Sequence, residues 1–384
     1  MIHAEFAKDF VAFAKGLFPG DSFIPLHAPR FSAKEKELVL DTLESTFVST
    51  VGEYVGEFES RIAEFTGAQF VTATNNGTAA LHTALMLADL QPGDEVITQS
   101  LTFVATCNAV RYCGGNPVFV DIDKNTLGLS PDSLLAFLEE YGEVRNDGLC
   151  WNRTTNRIMR ACVPVHNLGH PARIGDIQQL CNRYNIFLIE DAAESLGSLS
   201  DGVHTGLTGH IGTLSFNGNK IITTGGGGAL ITDNDEIARQ AKHLTTTAKL
   251  SHPWLFLHDK VGYNYRLPNL NAALGCAQME KLPRHIESKR KLAEKYRNWM
   301  VSKGVEFVSE PVGTRSNYWL NAILLNSKAE RDDFLQNTNT VGVMTRPMWT
   351  PMHTLPMYRE CFKADLKNSD DIEARLVCIP SSAR

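Results

Sequence analysis

From about residue 68 to residue 232 the chain alternates short apolar runs with longer runs of helical period. "QFVTATN" (69–75), "DEVITQ" (94–99), "PVFVDID" (117–123), "RIMRACVPVH" (157–166) and "FLIEDAA" (187–193) read as strands. Between them "GTAALHTALMLADL", "VATCNAVRYCGG" and "IGDIQQLCNRYN" carry helical periodicity, and Ser130-Pro131 marks another helix start, Ser as cap and Pro in the first turn. Apolar strands each followed by a helix specify an α/β fold, with a mostly parallel sheet covered by helices on both faces. Such sheets bind ligands at the carboxyl ends of their strands. The residues just after each strand are therefore the ones to inspect.

Beyond Gly228 the pattern changes. "GALIT" is a short strand, a helix runs to about His243, and residues 245–269 form a long irregular segment rich in Trp, Phe, Tyr and His. A loop that long is functional or disordered, and its aromatic content favours function. A long helix is expected from Asn269, followed by strand signals such as "YWLNAILL". At 384 residues two domains are expected. The reading is an N-terminal helix within 1–22, a large domain over 23–265 and a smaller C-terminal α/β domain over 266–384.

The first twenty residues resemble a targeting segment only superficially. Glu5, Lys8, Asp9 and Lys15 interrupt them, while Phe6, Phe10 and Phe13 recur at helical spacing until Pro19-Gly20. They read as an amphipathic helix packed on the body. No run reaches the length of a transmembrane helix. Eight scattered cysteines without CxxC spacing indicate reduced thiols of a cytoplasmic protein, and no metal site is expected. A net charge of −6 offers no basic face for nucleic acid, so a phosphorylated ligand must be held by local donors.

Four strand ends carry candidate chemistry. Asn75-Asn76-Gly77-Thr78 opens a helix, which makes either an ordinary cap or a phosphate cradle of backbone N–H groups. Asp191 ends an apolar strand and needs a partner, either a neighbouring arginine or a protonated heteroaromatic nitrogen. Phe103 follows "DEVITQ" as core or as a ring-stacking surface. Lys220, five residues after Ser215 and ahead of four glycines (225–228), is a surface lysine or a reactive amine. Taken together, Gly77, Thr78 and Ser215 as phosphate ligands, Phe103 as stacking ring, Asp191 as carboxylate and Lys220 as amine are the set that pyridoxal phosphate requires. The glycine run would let a tight turn approach that cofactor. No GxGxxG follows the first strand, so a dinucleotide site is excluded.

"FVSTVGEYVGEFE" (47–59), "NNGTAALHTAL" (75–85), "TFVATCNAV" (102–110), "EDAAESLGS" (190–198), "SFNGNKIITTGGGG" (215–228) and "GYNYRLPNLNAALG" (262–275) occur in one order. In that order the sequence resembles the DegT/DnrJ/EryC1/StrS sugar aminotransferases, fold-type I pyridoxal-phosphate enzymes, from about Phe23 to Ser382. The resemblance implies that Lys220 binds the cofactor's aldehyde, that Asp191 partners the pyridinium and that Phe103 stacks on the ring. It places Gly77, Thr78 and Ser215 on the phosphate and Glu194 beside the phenolic oxygen. It places Asn264 on the phosphate of the other subunit, which implies a homodimer with shared sites. It also implies amino transfer from glutamate to a nucleotide-linked 4-keto-6-deoxy sugar for surface polysaccharide such as O-antigen, a UDP-linked N-acetyl sugar first and a GDP-perosamine type second. A dehydratase and a non-catalytic regulator are the other branches; lysine at 220 argues against the dehydratase. Lys249, Arg266 and Arg346 are the expected donors to the diphosphate, and His353 is a further substrate-side candidate. His166 is a pocket residue or a satisfied strand-end histidine.

Overall fold

The computed structural model describes residues 2–384, with side chains from Glu5 onward. Its central sheet is mixed. In chain order the main strands are β1 (Phe70–Thr74), β2 (Glu95–Gln99), β3 (Asn116–Val120), β4 (Arg157–Val163), β5 (Phe187–Asp191), β6 (Ile211–Ser215) and β7 (Gly228–Thr232). They lie in the order β1-β7-β6-β5-β4-β2-β3. All pairs from β6 to β3 are parallel, whereas β7 runs antiparallel to both β1 and β6. Two short strands, Gly142–Val144 and Cys150–Asn152, extend the sheet beside β4.

Helices cover both faces, because successive strand residues point to opposite sides. Val96, Val163, Ile189, Ile211 and Leu230 pack under α4 (Gly77–Leu87), α5 (Val104–Tyr112) and α8 (Asp235–Thr245). Their neighbours Ile97, Cys162 and Leu188 face the other way, onto α6 (Pro131–Tyr141) and α7 (Ile174–Arg183). α6 begins as the sequence indicates: Ser130 Oγ accepts the Ser133 N–H at 3.1 Å and Pro131 fills the first turn.

The 34-residue helix α9 (Asn269–Ser302) starts at the proposed division between residues 23–265 and 266–384, and it serves two cores. Its first half packs Ala272, Ala273 and Cys276 against Phe58, Leu214 and Ile231. Its second half packs Leu292, Tyr296 and Met300 against α1 (Ile2–Leu17). The phenylalanine stripe of α1 packs there, Phe10 buried and Phe6 and Phe13 half-buried, with Phe13 stacked 4.7 Å from Trp299 and Phe6 5.4 Å from Phe334. Beyond α9 an antiparallel sheet of β8 (Glu306–Phe307), β9 (Asn321–Leu324), β10 (Arg346–Pro347) and β11 (Leu376–Ile379) lies in the order β8-β9-β11-β10. The irregular segment is a projecting hairpin-like arm, bridged at Thr246–Asn264 and Lys249–His258. Its tip exposes Trp254 and Phe256 at 76% and 80%. No helix among the described residues is long and apolar enough to cross a membrane.

α9 also buries a lysine completely. Lys289 donates to the Ser381 carbonyl, and burial lowers its ammonium to about 7. An unfolded lysine holds its proton to about pH 10.4. Between those values the unfolded chain binds a proton that the folded chain has expelled, so this group makes stability rise with pH across the window. Urea unfolding of wild type and Lys289→Met should therefore differ most near pH 7. The deficit of the lysine protein should shrink by up to about 1.4 kcal/mol per pH unit toward pH 10. A difference that does not change with pH would overturn this account.

Candidate active site

The strand ends converge because β7 returns antiparallel beside β6. Residues 216–227 loop out between them, closed by Phe216 N–H donating to Gly227 O at 2.8 Å. Lys220 sits on this loop with its side chain only 12% exposed. Its Nζ lies 3.5 Å from Glu194 Oε1 and 4.1 Å from the centre of the Trp319 ring. It is therefore an enclosed amine. A Cβ on Gly228 would fall 2.5 Å from the Asn76 carbonyl carbon and 2.6 Å from Gly77 N. The close approach made by the last of the four glycines is thus to the backbone that opens α4. A Cβ on Gly77 would in turn meet Ser215 Cβ at 2.9 Å. Glycine at both positions brings the helix start and the end of β6 together. Asn76 Oδ1 accepts the Ala79 N–H at 2.7 Å, so the ordinary cap is present as well. The N–H groups of Gly77 and Thr78 have no hydrogen-bond partner among the described residues.

Two adjacent carboxylates end β5 and face opposite sides. Glu190 is fully buried and accepts from the N–H groups of Gly206, Thr208 and Gly209 at 2.8, 2.7 and 2.6 Å. His166 Nε2 lies 2.9 Å from its Oε2, and His166 Nδ1 accepts the Ala172 N–H at 3.0 Å. Burial pushes the Glu190 carboxyl up, but His166 and these N–H donors hold it below its ordinary value. His166 is thus a satisfied strand-end histidine. Asp191 is also buried, yet it forms no ion pair among the described residues. Among the described residues its carboxylate accepts only from Thr106 Oγ1 at 2.8 Å and Ala193 N–H at 3.2 Å. Burial raises its carboxyl above the usual range, offset in part by those two bonds. Glu194 takes the Leu168 N–H at 2.8 Å, and burial pushes it up to about 7 against the pull of Lys220.

Phe103 ends the segment before α5 and is half exposed, its ring 6.3 Å from Trp349 at 63°. Trp349 lies nearly parallel to Trp319 at 6.5 Å. Asn317 joins this wall to the strand end: its Nδ2 donates to the Glu194 and Leu196 carbonyls at 2.9 and 3.0 Å.

The substrate-side candidates separate. Asn264 is exposed at the base of the arm and accepts from Arg266 Nη2 at 3.2 Å. The backbone of Arg266 bridges Thr74, immediately before the α4 start, and its Nε is buried without a partner. Lys249 Nζ lies 4.4 Å over the Phe256 ring, along the arm. Arg346 is exposed and bonded to Asn339 Oδ1 at 2.9 Å and Thr345 O at 2.8 Å. His353 packs on Ser100, Nδ1 to Oγ at 2.7 Å, with Asp370 at 3.5 Å on its other nitrogen, so it joins the C-terminal region to the end of β2. Thr106, Trp319 and Trp349 were not anticipated. Thr106 had a signal, since it lies three residues after Phe103 on one helix face. Trp349 had the signal of its neighbour, the substrate-side candidate His353 four residues on, whereas Trp319 had none, because it arrives from beside another sheet.

The chain matches the DegT/DnrJ/EryC1/StrS aminotransferase family model over residues 29–384. It is 35% identical over 359 residues to a GDP-perosamine synthase of Escherichia coli O157:H7, covering 94% of this chain and 93% of the relative. It is 34% identical over 348 residues to a GDP-perosamine synthase of Caulobacter vibrioides, covering 90% and 89%. Among solved structures, a DegT DnrJ EryC1 StrS aminotransferase from Brucella abortus superimposes with a TM-score of 0.82 at 26% identity, covering 91% of this chain and 90% of that one. With its fold and nearly its whole length matched, this chain belongs to the DegT/DnrJ/EryC1/StrS aminotransferase family.

Proposed function

We propose that the protein moves the amino group of glutamate to the 4-keto group of a 4-keto-6-deoxy sugar carried on a nucleoside diphosphate, for a surface polysaccharide. As a member of its family it is a sugar aminotransferase, and its cofactor is pyridoxal phosphate. The residues fit that cofactor. Asp191 is a buried carboxylate with no cation opposite it, Phe103 offers an uncovered ring, and Gly77 and Thr78 offer free N–H groups at a helix start. The unpaired burial of Asp191 is the observation that carries the reading.

Bound pyridoxal phosphate supplies an electron sink that acidifies the α-proton of an amino acid. Asp191 would keep the ring nitrogen protonated, with Thr106 fixing the carboxylate's orientation. Gly77, Thr78 and Ser215 would hold the phosphate, Phe103 would stack on the ring and Glu194 would lie beside the phenolic oxygen. Lys220 would hold the cofactor and, once displaced, carry the proton away from the glutamate Cα and later return one to the sugar carbon. Asn264 would complete the phosphate site of a second subunit. The exposed Trp254, Phe256 and Val261 of the arm support a homodimer, since apolar patches of this kind are normally covered. Eight free thiols support a cytoplasmic location. The motifs favour a UDP-linked N-acetyl sugar, while the names of the relatives favour a GDP-linked one. Lys249, Arg266 and Arg346 are the cations proposed for the diphosphate.

Asp191→Asn should fold and hold the cofactor while single-turnover rates with glutamate fall by about two orders of magnitude or more. Near-normal turnover would remove Asp191 from the mechanism. Mixing Lys220→Ala with Asn264→Ala subunits should restore activity through heterodimers containing one intact site. No recovery despite demonstrated subunit exchange would mean that each chain builds its own site. The substrate is tested by incubating the glutamate-treated enzyme with UDP-, GDP- and TDP-linked keto sugars. Return of the cofactor's visible band with one of them is expected. Return with simple 2-oxo acids alone would overturn the sugar reading and leave the aminotransferase standing.

A further inference from the structure

Lys220 does not hang free in its loop. Its Nζ rests 4.1 Å from the centre of the Trp319 ring and 3.5 Å from Glu194 Oε1. We propose that the face of Trp319, with Glu194 at its edge, is the resting berth of the Lys220 amine whenever that amine is off the cofactor, which makes Trp319 a positioning residue for amino transfer. The proposal rests on the reading above that Lys220 holds the cofactor.

The ring is fixed far more firmly than a packing tryptophan requires. Its Nε1–H donates to the Asn219 carbonyl at 2.7 Å, so the indole is tied to the residue immediately before Lys220. Its backbone N–H donates to Asn317 Oδ1 at 2.7 Å, and Asn317 also holds the Glu194 carbonyl. The preceding residue, Tyr318, adopts a left-handed backbone with φ of 47°, and Leu168, whose carbonyl accepts the Leu320 N–H at 3.3 Å, has φ of 58°. Non-glycine residues rarely sit there, and such strain persists where surrounding structure imposes it, commonly at functional sites. Both strained residues flank this one side chain and its Glu194 neighbour, since Leu168 N–H binds Glu194 Oε2. Trp319 is 3% exposed, and Trp349 lies nearly parallel beside it.

An ammonium over an indole face is attracted by the ring quadrupole, more strongly where water is excluded. Burial pushes the Glu194 carboxyl up to about 7, so its charge is only partial near neutral pH. The ring face holds a cation whatever the state of that carboxyl. In the first half-reaction Lys220 would have to leave the cofactor, take the proton of the glutamate Cα and pass it on; in the second it would start free, return a proton to the sugar carbon and only then rejoin the cofactor. A berth that accepts the amine as a cation keeps it loaded and aimed between those events. Trp319 joins the two roles, because one ring edge fixes the lysine's loop while the ring face receives the lysine's charge.

The test uses holoenzyme. Borohydride should first fix the cofactor on Lys220 in wild type; fixation on another lysine overturns both the reading and the berth. Once the label is located on Lys220, single-turnover decay of the visible band with glutamate is followed in unreduced holoenzyme of Trp319→Phe and Trp319→Leu. Phe keeps a weaker ring face and loses the Nε1–H bond to Asn219, so its rate should fall between those of wild type and Leu. Leu should slow it about tenfold or more, with the saturating glutamate concentration changed little. Fluorinated tryptophans placed at position 319 keep the shape and drain charge from the face, so the rate should fall stepwise with the number of fluorines. This series decides the matter even if the leucine variant fails to hold cofactor. A rate indifferent to fluorine overturns the berth and leaves Lys220 as the cofactor lysine.

Discussion

The site depends on one backbone contact, the start of β7 pressed against the Asn76–Gly77 peptide. No Cβ fits at Gly228 without striking that peptide, so the strand and the first turn of α4 touch through backbone alone. The contact exists because β7 is antiparallel between β1 and β6. A parallel return would need a crossover, usually a helix, whereas an excursion without one brings the chain back as a neighbour. The loop at 216–227 consequently leaves and re-enters the sheet at the edge where β1 ends and α4 begins. Ser215 is then the last residue of one strand, Gly228 the first of the next, and Lys220 lies over the same edge. Moving β7 elsewhere would separate the amine from the helix start.

A second constraint is the alternation of side chains along β5. Glu190 and Asp191 are neighbours of the same chemical class, and the pleat sends them to opposite faces. Glu190 meets a loop of inward-pointing N–H groups and a histidine, and its negative charge is stabilised below its ordinary value. Asp191 meets a threonine and one N–H, and its charge is left under-compensated. One carboxylate orders the turn at 206–209. The other keeps an unmet demand for a cation, which is the property a heteroaromatic N–H would satisfy. That difference separates a structural acid from a chemical one more sharply than burial, since both are enclosed.

Much of this arrangement was legible because the signals were local. Period and length give the strands at 70–74, 95–99, 116–120 and 187–191, and the Ser130-Pro131 start of α6 follows from cap chemistry. The candidates at the strand ends were found because an α/β sheet gathers them at one edge. What was not legible depends on long-range placement. An apolar strand of five residues does not reveal its direction, so the antiparallel β7 within a mostly parallel sheet could not be read from "GALIT". The hairpin at 142–152 is short and largely polar, and shows no period. The glycine run reads as a turn that approaches the cofactor, whereas the close approach made at Gly228 is to the α4 backbone, about 150 residues away in sequence.

The same limit explains why the C-terminal region contributes more to the site than its sequence suggests. Asn317, Trp319, Trp349 and His353 lie outside the β1–β7 segment, and each contacts a part of it next to a strand end. Asn317 holds the carbonyls of Glu194 and Leu196, Trp319 the carbonyl of Asn219, Trp349 the ring of Phe103, and His353 the hydroxyl of Ser100. Three of these contacts end on backbone carbonyls, which any residue supplies, so the partner segments carry no side-chain pattern that announces them. The tryptophans instead bring aromatic faces to an edge whose other candidates, Phe103 apart, are small, polar or charged. The proposed phosphate, carboxylate and amine ligands therefore come from the segment of the first sheet, and the tryptophan wall beside them from the segment of the other. Substitution in residues 317–353 therefore reaches the strand ends as well, because Asn317 holds the Glu194 carbonyl and Trp319 the carbonyl of the residue before Lys220.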